Sequence, residues 1–250
     1  MEAYLAQGIL EAQQPGFMLV ERTTAHGKVR RGLIAALDLE NYDYNREATT
    51  LIRATEGTII ERLPPRIKVR EHAPIELPHI MVLIDDPDRT VIEPLFQKNL
   101  PKTYATDLMM DSGHIGGYLV SGDADIGQAA QALERLAAPE AFGARYGVLN
   151  KPVLLYALGD GNHSFATAKV IWENLKKAAP GTAGIMNHPA RYALVELVNI
   201  HDEGLEFEPI YRVMFNVELQ DMLARMASFY SAQGSSFSWH AVSERAEMRK

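Results

Sequence analysis

The 250-residue chain contains no cysteine. Disulfides, zinc–thiolate sites and thiol nucleophiles are therefore excluded. No apolar run approaches the roughly 18 residues that mark a membrane span, and the amino end lacks a secretory pattern. Basic charge is in deficit: 25 Lys and Arg against 32 Asp and Glu give a net charge of −7. An acidic protein repels a phosphate backbone unless its cations are segregated, and the densest basic stretch is only Lys28, Arg30 and Arg31. General nucleic-acid binding and membrane association are therefore not expected, and the cytoplasm is the default location. Repeats and low-complexity segments are also missing. What remains is ordinary globular composition, 47% hydrophobic and 23% charged. That is enough apolar material for one large domain or two small ones.

Strands and helices alternate along the chain. Residues 17–23 and 28–37 are apolar, β-prone runs around Ala25-His26-Gly27 and read as a hairpin. A second hairpin is expected from residues 106–110 and 117–120, with Gly113-His114 near its tip. Residues 79–84, 153–158, 192–198 and 210–217 are apolar runs expected as buried strands. Helical spacing marks a first helix over Ala3, Tyr4, Leu5, Ile9 and Leu10, stopped by Pro15-Gly16. It also marks a short helix opened by Pro65, and a helix over 125–137 with Ile126, Ala129, Ala130, Leu133 and Leu136 inward. After residue 164, Phe165, Ala168, Trp172 and Leu175 repeat at three and four; residues 219–230 are helical too. The expected fold class is α/β (mixed α+β), a mixed sheet with helices packed on it. Residues 1–217 are expected to form a single core domain, and 218–250 the helical start of a further region.

The strand at 153–158 runs into Gly159-Asp160-Gly161-Asn162-His163-Ser164 and then into a helix. The first N–H groups of a helix have no partner within it and lie at the positive end of its dipole. Gly159 and Gly161 are expected to let a ligand approach the backbone, and Asn162 to cap the helix. His163 and Ser164 would aim donors at the same spot, where phosphate or carboxylate is the natural guest. Asp160 would repel that anion unless it acts as a base, holds a hydroxyl or binds a metal ion. An exposed histidine on a capped helix start is the bland alternative.

Four segments carry a family resemblance. They are Ile52-Arg53-Ala54-Thr55-Glu56-Gly57-Thr58, residues 78–86, residues 159–169, and residues 188–212 from His188-Pro189-Ala190-Arg191-Tyr192 onward. Together they resemble the uncharacterised bacterial and archaeal domain-of-unknown-function family 1015, over nearly the whole chain. Family members are generally longer at both ends, so the chain resembles a truncated piece. Most members carry a D-G-H-H-R box, similar to the nucleotide-binding turn of the ParB and sulfiredoxin-like fold. The resemblance implies phosphate binding at that turn. Here Asn162 replaces the first histidine and Ser164 the arginine. A hydroxyl cannot reproduce a bidentate guanidinium clamp, so another arginine must supply the charge if a nucleotide is bound.

Arg53, Arg191 and Arg212 are the candidates for that charge, surface arginines being the alternative. Glu56 matches the family glutamate and is a candidate proton acceptor. Locally, Thr58 and Glu61 also fit a capping box. Asp85 and Asp86 end a buried strand, where Mg²⁺ or a helix start are alternatives; strand alternation allows at most one of them to face a given site. His79, His114, His163, His188 and His201 show no metal-ligand spacing. Asn199, His201 and Asp202 are weaker pocket candidates, and Met109-Met110 and Trp172 read as core. Three functions fit these residues. The first is phosphoryl transfer from a nucleotide, with Mg²⁺ bridging phosphates near Asp160 and with Glu56 or His163 handling the proton. The second is a phosphate- or metal-dependent hydrolase using Asp160 and His163. The third is a non-catalytic nucleotide-sensing or partner-binding module.

Overall fold

In the computed structural model, residues 1–45, 47–77, 80–206 and 213–244 are described. Compact units span Met1–Glu206 and Phe207–Lys250. Among the described residues, all eight strands belong to one mixed sheet. They are β1 (Phe17–Thr24), β2 (Val29–Asp38), β3 (Ile52–Ala54), β4 (Met81–Ile84), β5 (Lys102–Asp107), β6 (Gly113–Val120), β7 (Tyr156–Asp160) and β8 (Tyr192–Asn199). The α-helices among the described residues are α1 (Glu2–Ala6), α2 (Leu63–Arg70), α3 (Asp123–Leu136), α4 (Pro139–Tyr146), α5 (Asn162–Ala178) and α6 (Leu219–Ala232). No helix among the described residues is long and apolar enough to cross a membrane.

The strand order is β3-β7-β4-β8-β2-β1-β6-β5. The β1–β2 hairpin forms as expected, Leu19 opposite Leu33, and both are fully buried. β4 is antiparallel to β7 and parallel to β8, while β3 runs parallel to β7. Three of these neighbours come from distant parts of the sequence, so β7 and the turn after it are fixed by tertiary pairing.

Several elements differ from expectation. β4 alternates between buried Val82 and Ile84 and part-exposed Met81 and Leu83; it is not covered on both faces. β7 starts three residues later than the apolar run, because Leu155 and Tyr156 both donate to the Leu51 carbonyl before the ladder begins. The first helix ends at Ala6, and α2 opens at Leu63, two residues before Pro65. α3 buries Ala129 and Ala132, leaving Ala130 exposed. Gly113 and His114 begin β6 and do not form the hairpin tip. That tip holds Met109 and Met110, which are 84% and 92% exposed and so are not core. The expected strand at 210–217 lies outside the described residues up to 212, and residues 213–217 are not in a strand. In the second unit, α6 is followed by Phe237, whose ring stacks on Tyr230 at 5.7 Å.

α5 is held by its apolar face. Phe165 and Trp172 are fully buried, and Phe165 meets Tyr42 edge-on at 4.6 Å between ring centroids. Burial raises the Tyr42 phenol well above its ordinary range, so it stays protonated. On the polar side, Lys176 donates to Glu40 at 2.6 Å and Arg191 to Asp38 at 2.9 Å. These cations lower the Glu40 and Asp38 carboxyls below their ordinary values, chiefly through the Lys176 and Arg191 hydrogen bonds. A carboxyl depressed in the folded state stabilises above its unfolded pKa and loses that contribution as pH falls through the folded value. The thermal midpoint is therefore expected to drop on acidification below about pH 4. The drop should be smaller in the Asp38→Asn/Glu40→Gln double variant, and equal acid profiles for the two proteins would contradict the assignment.

A cavity at the start of helix α5

β7 carries Gly159 and Asp160 as its last two residues, so the turn itself is shorter than the sequence suggests. Gly161 alone reverses the chain, at φ 87° in the left-handed region that glycine enters without penalty. It occupies the cap position, and the Phe165 amide donates to its carbonyl at 2.9 Å. Asn162 is thus the first helical residue and not the cap. The glycines also serve packing. A Cβ on Gly159 would come within 2.9 Å of the Leu83 side chain, and one on Gly161 within 3.2 Å of the Ile80 backbone. They let β4 lie close against the turn.

The first turn of α5 faces the segment after β3. Thr55 Oγ1 donates to the Leu158 carbonyl at 2.5 Å. Asn162 Nδ2 donates to Glu56 Oε1 at 3.3 Å, and the Ile59 amide donates to His163 Nε2 at 3.2 Å. These three bonds tie Glu56 to the helix start. The second also holds a residue only 3% exposed, whose Oδ1 meets no donor among the described residues. The third fixes a role for His163: with Nε2 accepting, the proton of the neutral ring sits on Nδ1, which is left as a donor. The expected Thr58–Glu61 capping box does not form; Ile59 occupies the cap of the short 3₁₀ turn Ile60–Arg62 without a side-chain bond.

Opposite the turn stands α2, and between them lies a cavity of about 800 Å³. Glu56, Asp160, Gly161, Asn162, His163 and Ser164 form one wall, Arg66 and Arg70 part of the other. The amides of Asn162 and His163 have no acceptor among the described residues. Asp160 Oδ1 is occupied by the Gly161 amide at 2.7 Å. Arg70 donates to the Ser164 carbonyl at 2.6 Å and to Ser164 Oγ at 3.1 Å, and it pairs with Glu76. Arg66 bonds the Arg62 carbonyl at 2.8 Å and has no acidic partner among the described residues. Val69 and Leu77 line the same space and are 84% and 56% exposed, an apolar shelf beside the charged groups.

Of the expected site residues, Glu56, Asp160, Gly161, Asn162, His163 and Ser164 come together here, with Gly159 just behind them in β7. Arg53 does not line this cavity. Its guanidinium bonds the Thr50 and Pro152 carbonyls at 2.9 Å and borders a separate hollow. Arg191 is committed to Asp38 and to the Met186 carbonyl, away from the cavity. Arg212 and His79 lie outside the described residues. Sequence reasoning missed Arg66 and Arg70. Their spacing of four along a helix is a visible signal, but nothing local ties them to a turn more than ninety positions later.

The other candidates are bonded elsewhere in the fold. Asp86 is 1% exposed and accepts from the Thr90 and Val91 amides at 2.6 and 2.9 Å. Asp85 instead faces outward to Tyr146, His201 and Arg145. Burial works against ionisation there, but these partners outweigh it and hold the Asp85 carboxyl below its ordinary value. Asn199 is buried against Asp86, and Asp202 takes the Gly204 amide. His114 pairs with Asp107, and His188 accepts the Ala190 amide. No group of three or more His, Asp or Glu suited to a metal ion occurs among the described residues.

The family model described as "Protein of unknown function (DUF1015)" matches residues 1–248. The chain belongs to that family. No curated protein and no solved structure matches it. Within this DUF1015 chain the resemblance covers four segments, and the sheet brings them together, with β4 paired to both β7 and β8. The β3 segment with Glu56 and the β7–α5 segment with Asn162 and His163 meet through side-chain hydrogen bonds.

Proposed function

We propose that the chain binds a nucleotide or another phosphorylated small molecule in the cavity between α2 and α5, and transfers its terminal phosphoryl group to a small hydroxyl compound. The observation that carries this reading is the convergence, in one 800 Å³ space, of the open Asn162 and His163 amides, the Arg66 guanidinium and an apolar shelf. Amides at a helix start and a guanidinium favour phosphate; the Val69–Leu77 shelf suits a flat apolar group such as a base. The ParB and sulfiredoxin-like resemblance of the D-G-x-H box points the same way. Ser164 lacks the family's guanidinium, and Arg70 brings one to Ser164 from α2.

In this reading the acceptor hydroxyl oxygen forms the new bond to phosphorus, and the bridging P–O bond of the donor breaks. The nucleotide leaves with one phosphate fewer, and the hydroxyl proton passes to Glu56. His163 Nδ1–H donates to a phosphate oxygen, and its Nε2 positions the Glu56 segment. The second carboxylate oxygen of Asp160 would hold a Mg²⁺ ion borne mainly by ligand phosphates, which usually needs only one or two protein carboxylates. Bound there, the ion would offset phosphate charge against Glu56 and Asp160. The cysteine-free composition suits a cytoplasmic setting.

Thermal-shift titration of the whole chain with ATP, ADP, CTP and inorganic phosphate, each with and without Mg²⁺, tests the reading. At least one nucleotide is expected to raise the midpoint in a saturable way. Arg66→Gln is expected to weaken it by about tenfold, the scale of one charge-assisted hydrogen bond. Absence of stabilisation by every one of these ligands would remove the proposal. Binding without turnover of any hydroxyl acceptor would instead identify a nucleotide-sensing module.

A further inference from the structure

A second hollow, of about 490 Å³, also has Glu56 in its wall. Its wall includes Tyr44, Asn45, Arg53, Thr55 and Glu56. Glu56 therefore borders both spaces, while Arg53 borders only this one. Arg53 is partly buried, and that burial lowers its pKa, because a charge removed from water is less well solvated. Three other partly buried arginines have carboxylates beside them: Arg30 has Glu196, Arg70 has Glu76 and Arg191 has Asp38. Arg53 has only the Thr50 and Pro152 carbonyls, and no acidic partner among the described residues. Its Nε and Nη2 are spent on those bonds. No bond from Nη1 to a described residue is present, so one edge of a fixed guanidinium remains for a ligand in the hollow.

We propose that this hollow binds the second substrate, a small hydroxyl-bearing carboxylate, with its carboxylate on Arg53 and its hydroxyl toward Glu56. The inference rests on the phosphoryl-transfer reading above and adds the class of the acceptor. A single guanidinium with one open edge matches a singly charged anion. A second multiply charged phosphate so close to the donor site and to Glu56 would meet strong like-charge repulsion. Tyr44, Asn45 and Thr55 line the hollow beside Arg53 and supply polar contacts for such a molecule. Because Glu56 borders both spaces, the hydroxyl can give its proton to that carboxylate while its oxygen faces the donor phosphate.

The test is calorimetric titration of the whole chain with glycerate, and with glycerol and acetate as partial analogues. Glycerate is expected to bind, acetate more weakly, and glycerol not measurably. Arg53→Gln is expected to weaken glycerate at least tenfold while leaving nucleotide affinity within about twofold, and Arg66→Gln to do the reverse. Because Arg53 also holds two loop carbonyls, Ala48→Trp serves as a second variant: it fills the same hollow and leaves the guanidinium bonds in place. It too should abolish glycerate binding. Glycerate binding unchanged in both variants, or no glycerate binding to a chain that does bind nucleotide, would overturn the inference and leave the donor site standing. Failure of every nucleotide would instead fall on the donor site.

Discussion

Glu56→Gln is expected to lower phosphoryl transfer by about 10²–10⁴-fold, with nucleotide affinity nearly unchanged. The reason is geometric. Glutamine keeps the size of the side chain and an oxygen that accepts from Asn162 Nδ2, so the tether of 3.3 Å survives. What it loses is the ability to take a proton. The other basic group nearby, His163, is poorly placed for that task, because its Nε2 lone pair already receives the Ile59 amide. Protonating that nitrogen would set one N–H against another. His163→Ala is therefore expected to reduce turnover indirectly, by loosening residues 55–59, and to weaken nucleotide binding with it. Glu56→Gln should slow the transfer step alone. Single-turnover rates at saturating nucleotide, set beside the affinities, separate the roles. A Glu56→Gln rate within threefold of the parent would show that the carboxylate is not the proton acceptor.

The parts of this site that the sequence made legible are those encoded locally. An apolar strand, glycines and a helix with Phe165, Ala168 and Trp172 in step are all contained within residues 153–178, and the periodicity names the buried face. Side-chain partners across the chain are another matter. Asn162 looked like a cap because its residue type suits one. The left-handed turn at Gly161 took that position, since the cap must end the strand close to Ile80 and only glycine fits there. Arg66 and Arg70 sit on an eight-residue helix with ordinary composition, and only the packing of α2 against α5 gives them a role. Arg191 had the right residue type and a nearby motif, but Asp38 at the end of β2 claims it. Met109 and Met110 illustrate the converse. Their hydrophobicity suggested core, yet they sit at the tip of a hairpin on the outermost strand, where no layer covers them.

Trp172→Ala is expected to cost about 3–5 kcal/mol of stability, a large share of the roughly 5–15 kcal/mol typical of a domain. Trp172 is fully buried in the middle of α5, and its indole N–H donates to Glu40. Truncation leaves a cavity and frees a carboxylate that Lys176 alone must then satisfy. Trp172→Phe loses the N–H and three ring atoms, so its cost should lie above the roughly 1 kcal/mol of one hydrogen bond and well below that of truncation. Urea unfolding with an unchanged slope measures both differences. The consequence reaches the site because the helix that Trp172 anchors is the one whose first amides face the cavity. With that anchor removed, local opening of α5 becomes cheaper, and a ligand must restore the helix start before it can bind. Nucleotide affinity should therefore fall in Trp172→Ala even though the residue lies more than two turns from Asn162, and should be nearly intact in Trp172→Phe. Equal affinities in Trp172→Ala and the parent chain would mean that the first turn of α5 is held by its contacts with Glu56 and Ile59, independently of the buried face.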